Sequence, residues 1–126
     1  MTRFRLYPEG RGRGRMTARL FIFDEQEELQ EWVEGLDGDR HLAPDLYAVA
    51  TREEPSGRLT VAFWRDKMTV QMIAHEALHL TVFIAEKRGW LRKLQLDAGY
   101  WGSDKEELMA DVTGRTVAQI LRRARG

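Results

Sequence analysis

The segment from Met68 to Arg88 does most to restrict what this chain can become. It contains no glycine or proline and ends at Gly89, directly after Lys87 and Arg88. These are the signals of one long helix with a glycine stop. Between Met68 and Ala85 the only readily ionisable side chains are His75, Glu76 and His79, set among residues such as Ile73, Ala77, Leu80, Phe83 and Ile84. A helix apolar nearly all round belongs at the centre of a fold. Burying two imidazoles and a carboxylate there is costly unless they have partners. The spacing supplies a reason. Residues 75 and 79 are i and i+4, one turn apart on the same face, so both imidazoles can converge on one ion. Glu76 lies about 100° further round the helix, too far to join them as a ligand in the same plane but able to reach a water on that ion.

The rest of the chain bounds the fold around that helix. A length of 126 residues suits one compact domain, and 43% hydrophobic content excludes wholesale disorder. With no cysteine, disulfide frameworks, thiolate zinc fingers, iron–sulfur clusters and cysteine nucleophiles drop out, and any metal must be held by imidazole and carboxylate. Phe4–Tyr7 reads as a short strand and Thr17–Phe23 as a longer one. Asp24 is placed to cap a helix running to about Gly35, with Leu29, Trp32, Val33 and Leu36 on its packed side. A loop over residues 37–44 follows. Leu46–Thr51 and Arg58–Trp64 then read as two strands of a hairpin. After a connector ending in Gly99-Tyr-Trp-Gly102, Ser103 and Glu106 form a capping box for a last helix to about Arg125. This order of elements predicts an α+β fold, a small sheet packed on a helical layer.

Charge is balanced overall but unevenly laid out. Residues 1–20 carry six arginines against Glu9, and residues 21–39 carry eight acids and no base. The run Arg11-Gly-Arg-Gly-Arg15 reads as part of a flexible basic arm over residues 1–16. The even overall balance is not that of a nucleic-acid binder, so no nucleic-acid partner is expected from that arm alone. No stretch approaches the roughly 20 apolar residues of a membrane span, and the start lacks a secretory apolar region. A cytoplasmic protein without a membrane partner is the expectation.

His75-Glu-Ala-Leu-His79 is the His-Glu-x-x-His arrangement of zinc peptidases, with the glutamate as general base. With 3 His and 12 Glu in the chain, chance would produce it in roughly 0.7% of such sequences. The bland alternative is a core histidine pair bonded to backbone or carboxylate, without metal. A catalytic zinc needs three protein ligands and an open position, so a third must come from elsewhere. On the last helix Glu107 and Asp111 share a face, continued by Gly114 and Ala118, which would let that helix approach the histidine helix closely. Glu107 is the expected third ligand, and Asp111 the carboxylate that holds a ligand imidazole by its other N–H. An exposed acidic first turn is the competing reading of that pair.

With Glu107-Leu-Met-Ala-Asp111 following downstream, the chain resembles the gluzincin division of zincin-like metallopeptidases. Within that division it looks most like the ImmA/IrrE-type peptidases and small zincin-like proteins of tailed phages. The resemblance covers Val70 to Asp111. It implies a small zincin-like domain spanning residues 1–126, with a short, mostly antiparallel sheet on two long helices, and a Zn2+ cofactor. It implies hydrolysis of peptide bonds in an intracellular protein, Glu76 taking the proton of the zinc-bound water. It also implies an edge strand beside the metal that receives the substrate peptide, for which Arg58–Trp64 is the candidate, and an extra donor to the oxyanion. Tyr100, in its glycine-flanked loop, is the leading candidate for that donor, ahead of His41 and Tyr47. The alternative is a metal-stabilised binding protein that keeps the scaffold without turnover, a phage or mobile-element accessory. A chain this small has little room for a deep cleft, so a homodimer or protein partner is expected to complete the groove.

Overall fold

The computed structural model describes residues 1–91 and 104–125. Five strands, β1 (Thr2–Leu6), β2 (Ala18–Phe23), β3 (Gly38–Leu42), β4 (Ala48–Glu53) and β5 (Arg58–Trp64), form one sheet in the order β1-β2-β5-β4-β3. β2 and β5 are parallel and the other neighbours antiparallel. The described helices are α1 (Gln26–Glu34), α2 (Val70–Arg88) and α3 (Asp104–Arg125). The α+β expectation holds, with a mixed sheet covered on both faces. On one face Phe21, Phe23, Val49 and Ala62 meet Leu29 and Val33 of α1. On the other, Leu20, Ile22, Val61 and Phe63 pack against Ile73, Leu80 and Ile84 of α2 and Val112 and Ile120 of α3.

That two-sided cover corrects one expectation. Arg58–Trp64 is not an edge: β5 lies between β2 and β4 and is buried along nearly its whole length. Its unbroken Leu-Thr-Val-Ala-Phe run is the signature of a strand with both faces covered. The edges are β1 and β3.

β3 falls where the sequence reads as a loop. Its five residues are all exposed, and Gly-Asp-Arg-His-Leu offers no alternation to mark a strand. Pairing with β4 creates it, His41 standing opposite Ala50. Gly38 makes the entry possible. Its φ is +115°, and a Cβ there would run into the Arg52 carbonyl oxygen and the Glu54 amide nitrogen. Gly38→Ala is therefore expected to cost about 2 kcal/mol or more and to detach β3, which urea denaturation and amide exchange across residues 38–42 would register. Unchanged stability would mean that this pairing is not formed.

Local chemistry sets the helix ends. Thr69 caps α2, its hydroxyl accepting from the Met72 amide at 3.1 Å, and Gly89 closes it in the left-handed conformation with φ +75°. At α1 the cap is Glu25 rather than Asp24, with the Glu28 carboxylate accepting from the Glu25 amide at 3.3 Å. Asp24 is drawn instead to Arg65, 41 residues on, at 2.9 Å. Ser103 of the expected capping box lies outside the described residues.

Nor are residues 1–16 a loose arm. Residues 2–6 are a strand, and the turn after it is held through Glu9. Burial alone would raise the Glu9 carboxyl, but the Arg88 guanidinium and the Met16 amide hold it below its ordinary value. Arg88 binds both Glu9 oxygens, at 2.6 and 3.1 Å, and donates to the Gly14 carbonyl at 2.7 Å. Arg5 and Arg11 thereby come to line one cavity with Arg115, Arg122 and Arg123 of α3. No helix among the described residues is long and apolar enough to cross a membrane.

Candidate metal centre

α2 is less enclosed than its composition suggests. Ile73, Ala77, Leu80 and Ile84 face the sheet, whereas the His75 side chain is 47% exposed. His75 and His79 occupy the flank of α2 that looks towards β3. Their Nε2 atoms approach to 3.1 Å, with the ring planes 78° apart. Two nitrogens bound to one tetrahedral zinc at 2.0–2.1 Å would stand about 3.3–3.4 Å apart. The pair therefore fits two ligands of such an ion within a few tenths of an ångström. Burial, and then the neighbouring His41 and His75, push the His79 pKa below its ordinary value, which favours the neutral imidazole a metal requires.

Glu76 is fully buried, and neither carboxylate oxygen has a hydrogen-bond partner among the described residues. Desolvation alone pushes its pKa up to about 8. Its Oε1 lies 3.9 Å from the His75 Nε2, within reach of a small molecule held at that nitrogen. The site thus contains an orphaned acid at the foot of a convergent imidazole pair.

The structure adds His41, which the sequence offered only as an oxyanion donor. Its ring lies on that of His79, centroids 4.3 Å apart and planes 3° from parallel, and touches Phe83 at 5.1 Å. All three histidines of the chain therefore meet. The contact is not legible in the sequence, because residue 41 sits in a polar stretch with the pattern of a loop. The one available signal was that the chain has no other histidine.

Glu107 and Asp111 do not join the cluster. Both are exposed on α3, and the stripe that packs is Val112, Thr116 and Ile120, about 170° round from the face expected to pack. The Thr113 hydroxyl meets that of Thr81 at 2.6 Å, on the flank of α2 away from the histidines. Burying two aliphatic side chains outweighs any preference of the acids, and Thr113 and Thr116 return their hydroxyls to carbonyls four residues back. A Cβ at Gly114 would meet nothing within 4 Å among the described residues, so the glycine serves no close helix approach there. Arg115 reaches the Pro8 carbonyl while Arg123 covers Phe4, so α3 runs antiparallel to α2. Glu107 is then displaced from the histidine pair by roughly 10–20 Å along the helix direction. Among the described residues no three His, Asp or Glu side chains stand in position to hold a metal ion. Tyr100 lies outside the described residues. Tyr47 packs beside Trp64, ring centroids 5.9 Å apart, under the Lys67 ammonium.

Comparison with protein-family models, curated proteins and solved structures produced no match. The chemistry of the cluster itself carries the functional reading.

Proposed function

We propose that the protein is a zinc-dependent peptidase of zincin-like design, with His75 and His79 as metal ligands and Glu76 as general base. The observation that carries this reading is the Glu76 carboxyl: fully buried, without a hydrogen-bond partner among the described residues, and beside the two imidazoles whose Nε2 atoms meet. A group so costly to bury is explained by a task. Zinc bound there would supply a water of lowered pKa and polarise a carbonyl. Burial pushes the Glu76 carboxyl up to about 8, so without metal it keeps its proton at neutral pH; a dication at the imidazoles would favour its carboxylate, the form that can take a proton from water and return it to a leaving amine. The open side of β3 is where an extended peptide could add as a strand beside the histidines. Protein or peptide is accordingly the proposed substrate class. A scaffold that binds metal without turnover is the alternative.

Metal analysis of chelator-free protein tests the reading. Near-stoichiometric zinc in the wild type, with little in His79→Ala, is expected. Glu76→Gln should keep the metal while any hydrolysis of an unfolded protein substrate falls by at least ~100-fold. A wild type devoid of zinc would overturn the proposal. Zinc with hydrolysis unaffected by Glu76→Gln would remove Glu76 from its role.

A further inference from the structure

Two imidazoles leave a zinc site one ligand short, and the expected third, Glu107, faces away from it. We infer that His41, on the edge strand β3, is the third ligand, giving a site of three histidines that closes the sheet edge onto α2. The inference rests on the metal reading above and specifies its donor set.

Elimination and geometry both point to His41. Two carboxylates lie on the same flank, Asp39 on β3 and Glu86 on α2. Arg52 takes both, at 2.5 and 2.9 Å, with its guanidinium over the Phe83 ring. Hydrogen bonding to both raises the Arg52 pKa, so this clamp stays charged and the two acids stay engaged. The His41 ring, by contrast, makes ring contacts and no hydrogen bond among the described residues. The clamp also ties β3 to α2 and so fixes how near His41 stands. Three imidazoles on one tetrahedral zinc have ring centroids about 5 Å apart. The observed separations are 4.3 Å for His41–His79 and 4.7 Å for His75–His79.

What differs is ring orientation. Stacked rings hold their nitrogen lone pairs in parallel planes, which never meet at one ion. A turn of the His41 ring about its Cβ–Cγ bond brings a nitrogen round, and its position on an exposed strand leaves room for that turn. The rotation exchanges a stacking contact for a metal bond.

The test is zinc affinity, measured by competition with a chromophoric chelator for the wild type, His41→Ala, His41→Gln, Glu107→Ala and His79→Ala. Folding of each is checked by circular dichroism in chelator. Losing a partner that only orients a ligand costs about 10–100-fold. A ligand should cost more. The expected result is a loss above ~100-fold in both His41 variants, comparable with His79→Ala, and no change in Glu107→Ala. A loss of 100-fold or less in the folded His41 variants would make His41 at most a positioning residue and overturn the inference. So would a collapse of affinity in Glu107→Ala alone, and either result leaves the zinc reading standing. A wild type that binds no zinc would end both.

Discussion

Replacing Glu76 with methionine should stabilise the metal-free protein, by roughly 3–5 kcal/mol at pH 8. The side chain is wholly buried, its two oxygens have no partner among the described residues, and its pKa rises from an ordinary 4.5 to about 8 because burial penalises the charge. In the unfolded chain the carboxyl ionises near 4.5, while in the folded protein it keeps its proton to about 8. Over that interval the unfolded state binds fewer protons, so stability falls as pH rises. The loss begins above the unfolded value and levels off past the folded one. His79 runs the other way. Its folded pKa is depressed by burial and by its histidine neighbours, so its contribution is regained as pH rises to its ordinary 6.5. Glu9, held low by Arg88 and Met16 against its burial, loses its contribution only in acid, below the ordinary carboxylate pKa.

The window that isolates Glu76 is therefore pH 6.5 to 8, where its ionisation should remove about 1.5 kcal/mol from the wild type. Urea denaturation in chelator at those two pH values reads the effect directly. Glu76→Met should abolish the slope and raise the midpoint at both. A wild type whose stability is flat across the window, or a methionine variant less stable than it, would mean that the carboxyl has partners and lies where it does for structural reasons.

The parts of this site that are legible in the sequence are those fixed within one helix. The turn between His75 and His79 sets their convergence, the neighbouring position sets Glu76 at their foot, and Thr69 and Gly89 bound α2 by local chemistry. What is not legible depends on distant pairing. β3 has no strand pattern of its own; it exists because β4 accepts it and Gly38 lets the chain enter. His41 reaches His79 through the pairing of β3 with β4 and across a gap where Arg52 binds an acid on each side. Asp24 leaves the helix it could have capped for Arg65. The rotation of α3 was decided by Val112 and Ile120, so an acidic stripe of convincing spacing ended in solvent. The central place of β5 is hidden because burial on both faces shows in a sequence as apolar content, not as position.

Zinc should then return stability of the same order as the buried carboxyl forfeits. At a free concentration about 1,000 times its dissociation constant, an ion that binds only the folded state adds about 4 kcal/mol. For a chain of this length that is a rise of roughly 12–20 °C in the unfolding midpoint. The groups the ion would engage are an imidazole pair bonded to each other at 3.1 Å and a third imidazole stacked against it without a hydrogen bond among the described residues, beside a buried acid. Calcium and magnesium, which prefer oxygen ligands, should leave the midpoint unchanged, and His79→Ala should remove the zinc response without lowering the metal-free midpoint by more than a few degrees. That asymmetry separates the two readings of the cluster. A structural histidine pair would make His79→Ala destabilising with or without zinc, whereas a metal pair shows its worth only when the ion is present.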